Sequence, residues 1–242
     1  MKNNLLGFSF FVQGYDSLVT QINSFIDSKK NCFIITPTTE ILYASYKDEH
    51  MTKVLSEADI LLPDSITLVK LGQLLKRDFP SRLTGIDTIY KLGNNPDRKY
   101  KVFYLGAKQE SVEKAVKMTE KKLPSFDVVG YRNGYFDAFE DNAIIEQINA
   151  SGADILFVGI GFPKQESFVH QYKNQIEVPI KVTVGGSFDV IAGLLKRAPK
   201  WMQKLGLEWL FRLIQEPSRI TRMSLIPIEL FQLYVAEIRH ER

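Results

Sequence analysis

From about residue 31 to residue 195, short runs of nearly unbroken apolar residues alternate with longer stretches in which apolar side chains recur at helical spacing. The short runs are CFIIT (32–36), ADILLPD (58–64), KVFYLGA (101–107), DVVGY (127–131), ADILFVGIG (153–161) and IKVTVGG (180–186). A strand with one wet face alternates apolar and polar residues, whereas a strand covered on both faces has no need to, so these runs predict buried parallel strands. Helices are expected between them, near 38–57, 65–76, 86–93, 109–122, 140–151 and 164–174. The order implies an α/β fold, a mostly parallel, Rossmann-like sheet with helices on both faces.

After Gly193 the pattern changes. Leu205, Trp209, Leu210, Leu213 and Ile214 make one apolar helical face, which Gly206 weakens. Leu230, Phe231, Tyr234, Val235 and Ile238 mark another helix, with Pro227 suited to its first turn. The chain therefore divides into an α/β domain over 1–195 and a helical appendage over 196–242. Charge follows the same division: the appendage carries nine Lys/Arg against five Asp/Glu, the rest of the chain 22 against 23. Both tryptophans and seven of the basic residues fall between Lys196 and Arg222. Indole rings settle at the lipid–water boundary and guanidinium groups pair with phosphate, so this stretch points to a lipid-phosphate substrate and an anionic surface.

With 242 residues, 45% of them hydrophobic, the chain can bury a full core without staples. Its single Cys32 sits in an apolar run and reads as a buried thiol, in keeping with a reducing cytoplasm. Three histidines, His50, His170 and His240, show no metal-ligand spacing, so a structural zinc site is not expected, and no cofactor is expected on a chain without a dinucleotide or phosphate-loop motif. The N-terminus lacks the pattern of a secretory signal and no stretch is apolar enough to span a bilayer, which makes the expected membrane contact peripheral.

In such sheets ligands bind beyond the carboxyl ends of the strands. Thr36, Asp64, Gly106, Tyr131 to Phe136, Gly159 to Gln165, and Gly185 to Asp189 all fall at expected strand ends, where ordinary turn chemistry is the competing explanation. Asp64 follows a strand and a proline. It is placed either to cap the helix ITLVKLGQLL or to act as a general base on a hydroxyl, and the two roles are compatible. In GIGFPKQE the glycines at 159 and 161 allow close backbone approach to a ligand, and Pro163 begins a helix whose amides favour an anion. The spacing is neither G-x-G-x-x-G nor a phosphate loop, which disfavours nicotinamide chemistry, including a UDP-sugar epimerase or dehydrogenase, and ATP hydrolysis. Arg212, Arg219 and Arg222 lie between apolar segments, LEWLF and SLIPIELF. That setting favours phosphate recognition over a solvated charged face, and nucleic acid is not expected, since no reading helix or RNA-binding aromatic motif accompanies them.

TPTTEI, ADILLPDS, RLTGIDTIYKL, VFYLGAK, GYRNGYF, INASGADILFVGIGFPKQE, VGGSFDVIAG with KRAP, and LEWLFRLIQEPSRITR occur in that order. On these segments the chain resembles the WecG/TagA/CpsF glycosyltransferases, glycosyltransferase family 26, over roughly residues 10–225. The resemblance implies an inverting, metal-independent hexosyltransferase. It would move a sugar from a UDP-sugar to an undecaprenyl-diphosphate-linked sugar, peripherally on the inner face of the cell membrane, in the synthesis of teichoic acid, capsule or another surface polysaccharide. It implies Asp64 as the base and Thr36, Thr38, Arg82 and Gln165 as polar pocket positions. Tyr135 and Asp189 would contact the uridine, and Arg212, Arg219 and Arg222 would neutralise the diphosphate, the appendage completing the site at the membrane. Two positions depart from the family's pattern: Thr38 stands where many members have asparagine and Ser65 where they often have glycine. Contacts to the donor sugar then differ, and the donor need not be N-acetylmannosamine. A homo-oligomer is compatible with the resemblance. A reading from another class is a non-catalytic protein that binds nucleotide-sugars or anionic lipids.

Overall fold

The apolar runs form a six-stranded, wholly parallel sheet in a computed structural model that describes residues 3–205, 207–215, 217, 220 and 224–240. A short antiparallel hairpin comes first, β1 (Asn4–Leu5) and β2 (Phe8–Ser9), followed by helix α1 (Tyr15–Asp27). The main sheet contains β3 (Cys32–Ile35), β4 (Ile60–Leu61), β5 (Tyr100–Gly106), β6 (Phe126–Arg132), β7 (Ile155–Gly159) and β8 (Ile180–Thr183), in the order β4-β3-β8-β7-β5-β6. All six coincide with the expected runs. Burial on both faces is the reason their residues do not alternate: β3, β7 and β8 are buried along their whole length.

Two apolar clusters sandwich the sheet. One packs α2 (Thr39–Lys47), α3 (Glu49–Ser56), α4 (Ile66–Leu74), α7 (Asp141–Ala150) and α8 (Lys164–Tyr172) on Phe33, Ile35, Phe103, Leu105, Leu156 and Val158. The other packs α1, α5 (Gly85–Gly93), α6 (Gln109–Lys122) and α9 (Ser187–Ile191) on Cys32, Ile34, Val102, Tyr104, Ile155 and Phe157. The stretch expected as one helix near 38–57 is two, because Asp48 leaves helical geometry (φ −132°, ψ 118°) and its carboxylate accepts the backbone N–H of His50 at 2.9 Å. The hairpin and α1 precede the first expected strand.

The C-terminal segment supplies α10 (Lys200–Leu205), α11 (Glu208–Gln215) and α12 (Ile226–His240). The last of these belongs to the body: Leu233 is fully buried in the α2–α4 cluster, Tyr43 Oη donates to Gln232 Oε1 at 2.8 Å, and Arg77 meets Glu237 at 2.7 Å with both side chains buried.

Candidate functional site

Strands β3 and β7, which flank β8, both send their following helix to one face, while β8 sends α9 to the other. Helices that part in this way leave a crevice at the carboxyl end of β8. A cavity of about 330 Å³ occupies it. Its floor is tied together by polar side chains. Thr36, at the end of β3, donates its hydroxyl to Thr183 O at 2.9 Å, and the Gln165 carboxamide accepts Gly185 N–H at 3.2 Å while donating to Glu166 Oε1 at 2.7 Å. Both residues are buried and line the cavity, so they fix its wall whatever it holds. Gly161, at φ 85°, lines it as well. Gly159 has a different task from the ligand approach its position suggested. A Cβ there would stand 2.6 Å from Gly185 O and 3.0 Å from the Phe188 ring, so its missing side chain lets β7 meet the turn after β8.

The cap of α4 is Ser65, not Asp64. Ser65 Oγ accepts Leu68 N–H at 3.2 Å and Thr39 N–H at 3.3 Å, and it joins a hydroxyl cluster with Thr39 and Thr67. Asp64, one residue earlier, is half-buried on the cavity wall, its backbone N–H given to Pro37 O at 3.1 Å. Thr38 also lines the cavity, capping α2 through a long bond from Ile41 N–H, 3.4 Å. The two departures from the family's pattern are thus a pair of helix caps beside the proposed base.

The roof comes from the C-terminal segment. Arg82 donates to Glu208 Oε2 at 2.5 Å and to Gln203 Oε1 at 2.8 Å, joining the body to α10 and α11. Arg197 places both Nη atoms on Asp87, at 2.5 and 2.6 Å, and Thr84 Oγ1 donates to the same carboxylate at 2.8 Å. Burial pushes the Asp87 carboxyl up, but the Arg197 hydrogen bonds and charge, with Thr84 and Arg82, outweigh it and hold the pKa below the usual carboxylate range. Tyr15 Oη accepts Thr84 N–H at 2.8 Å, and burial, aided by the charges of Asp87 and Asp64, pushes that phenol up to about 12. Asp87, Arg197 and Glu208 were absent from the sequence-derived site. The signal available for them was the Asp in TGID and the Arg in KRAP.

Of the sequence-derived residues, Thr36, Thr38, Asp64, Arg82 and Gln165 meet in this cavity. Tyr135 does not line it. It stands largely exposed, its N–H bonded to Asn133 Oδ1, on the loop after β6 at the same end of the sheet. Asp189 lies on α9, next to the cavity-lining Val190. Arg212 sits on α11. Arg219 and Arg222 lie outside the described residues, but the residues that bracket their segment, Gln215 and Ile226, both line the cavity. A larger open groove of about 780 Å³ runs between α1 and α5. Its walls are α1, α5 and the 94–97 loop that leads to the amino end of β5, and of the sequence-derived positions it contains none.

The chain matches the model of the Glycosyl transferase WecG/TagA/CpsF family over residues 3–242. Among similar proteins are N-acetylglucosaminyldiphosphoundecaprenol N-acetyl-beta-D-mannosaminyltransferases of three bacteria. That of Bacillus spizizenii is 34% identical, covering 90% of this chain and 83% of the relative. That of Bacillus subtilis (strain 168) is 36% identical over 84% and 79%, and that of Staphylococcus aureus (strain MW2) 32% over 98% and 93%. A crevice cavity with an aspartate on its wall, and a family match along nearly the whole length, decide between catalyst and passive binder: the chain belongs to the WecG/TagA/CpsF family and is a glycosyltransferase.

Proposed function

We propose that the protein transfers a sugar from a UDP-sugar to a sugar carried on undecaprenyl diphosphate, in a single inverting step that needs no metal ion. The observation that carries this reading is Asp64 on the cavity wall with the helix cap given to Ser65. In the step, Asp64 takes the proton of the acceptor hydroxyl while that oxygen bonds to the anomeric carbon. The bond from the anomeric carbon to the donor phosphate breaks, and UDP leaves with the electron pair.

The leaving diphosphate needs positive charge. Among the described lining residues there are four carboxylates, Glu40, Asp64, Glu208 and Glu229, against three cations, Arg82, Lys196 and Arg197. Further cations are therefore required, and Arg212, Arg219 and Arg222, on or beside segments that reach the cavity, supply them in this reading. Tyr135 and Asp189 are assigned to the uridine on the resemblance alone. Among the described residues no group of three or more His, Cys, Asp or Glu is placed to hold a metal.

Peripheral attachment to the inner face of the cell membrane is supported by the apolar side chains exposed along the C-terminal segment, Trp201, Trp209, Ile214, Leu225, Ile228 and Phe231. Among the described residues no helix is long and apolar enough to cross a membrane. The relatives' names specify N-acetylmannosamine as the sugar moved and a GlcNAc-diphosphate lipid as its acceptor. For this chain the acceptor class is adopted, while Thr38 and Ser65 leave the donor to be fixed among N-acetylmannosamine, another hexose or a uronic acid, for teichoic acid, capsule or exopolysaccharide. A panel of UDP-sugars offered with prenyl-diphosphate-linked N-acetylglucosamine, read by product mass, is expected to give lipid-linked product with one donor. No product from any donor would contradict the reading.

A further inference from the structure

Among the described residues two arginines line the cavity, and both are already engaged by carboxylates of the chain itself. Arg197 is held by Asp87, a residue of the body, through a fork of two bonds. Arg82 is held differently, since its partners Glu208 and Gln203 belong to α11 and α10 in the roof. Gln203 also donates to Ala198 O at 2.7 Å, so the Arg82 contacts connect the body with the first stretch of the roof. The Arg82 and Glu208 side chains are 16% and 15% exposed. The pair is thus mostly withdrawn from water but still borders the cavity.

A carboxylate and a phosphate oxygen compete for a guanidinium in the same geometry, and two anions do not share one seat without mutual repulsion. On the diphosphate reading above, a substrate phosphate in this cavity therefore meets an arginine whose seat is filled. We propose that Glu208 is a positioning residue that occupies the anion seat of Arg82 in the substrate-free chain and is exchanged for a substrate phosphate, its side chain turning off Arg82 while α11 stays over the cavity. Trp209, beside Glu208 and lining the cavity, is 39% exposed and reports the exchange.

The test uses inorganic diphosphate as the ligand and tryptophan emission as the readout, on the full chain with Trp201→Phe so that Trp209 is the sole indole. Diphosphate is expected to change the emission saturably. Glu208→Gln, which keeps a hydrogen-bond acceptor for Arg82 but removes the competing charge, is expected to lower the midpoint by about tenfold, and Arg82→Met to raise it in either background. A purely structural Glu208 would give weaker or unaltered binding in the glutamine variant. An unchanged or raised midpoint, or a titration with no response, overturns the proposal. Should Glu208→Gln fold poorly, Glu208→Ala decides by the same titration: its midpoint must also fall, and an equal or raised midpoint overturns the proposal. The probe carries no sugar. A chain inactive with every donor would leave this result standing, and a flat midpoint would leave the transferase reading intact.

Discussion

Lys181 is fully buried on β8, its ammonium donating to Asn31 Oδ1 at 2.6 Å and Val178 O at 2.5 Å near the amino ends of the strands, away from the cavity. Burial lowers its pKa from 10.5 to about 8, against the opposing charges of Cys32 and Asp59. Between pH 8 and 9 the unfolded chain still binds a proton here that the folded chain has released, so stability rises with pH in that window. Above pH 9 the unfolded Cys32 thiol ionises while burial keeps the folded one protonated up to about 12, and this opposes the gain. The urea midpoint is expected to rise from pH 8 to 9 and Lys181→Met to flatten the rise; a midpoint that falls in the unsubstituted chain contradicts it. At the same scale, Thr36, Asp64 and Gln165 were legible as site residues because strand-end positions converge in parallel sheets. Whether Asp64 capped a helix was not legible, because Asp64 and Ser65 are both good caps and only the backbone places one of them there. The Arg82–Glu208 and Arg197–Asp87 pairs span more than a hundred residues, and no local pattern announces such a pair.

Each strand of the main sheet overlaps a run read from sequence, because burial on both faces leaves a continuous apolar signature, whereas the short hairpin of β1 and β2 carries no such run. The helices were read well where a strong turn residue bounded them. The break at Asp48 turns on a single backbone geometry within a continuous polar–apolar pattern. Helix α1 has Leu18, Ile22 and Ile26 on its buried face, but its N-cap is Gly14 at φ 87° with no side-chain cap to announce the start. Helix α4 shows the opposite case. Its cap Ser65 satisfies Leu68 N–H and receives Thr39 N–H, linking the first turns of α2 and α4 beside Asp64. Replacing Ser65 by Ala removes that acceptor and is expected to cost about 1 kcal/mol of stability, read from denaturant unfolding, with Ser65→Gly milder. No loss in Ser65→Ala would show that the cap is redundant.

Across the whole molecule, the first and last elements hold each other. Leu6 N–H donates to Glu237 Oε2 at 2.5 Å from a left-handed backbone position (φ 51°), and the other oxygen of Glu237 takes Arg77. Division at residue 195 separates the roof by sequence, but α12 completes the α2–α4 face of the core. Deleting residues 226–242 therefore removes Leu233 from the core and one member of a buried ion pair. The deletion is expected to destabilise the body by at least about 3 kcal/mol, visible as a large drop in urea midpoint, whereas a dispensable appendage would leave the midpoint unchanged. The same contacts bring the chain's C-terminal segment over the cavity, where the proposed chemistry needs cations and shelter from water.

The role proposed for Asp64 is to remove the proton of a lipid-borne hydroxyl. The most direct measurement compares transfer to a prenyl-diphosphate-linked acceptor by the unsubstituted chain and by Asp64→Asn, with UDP affinity determined on the same preparations. Asp64→Asn is expected to lower kcat by about a hundredfold or more while UDP affinity stays within about twofold. An asparagine variant that transfers sugar at the original rate would contradict it.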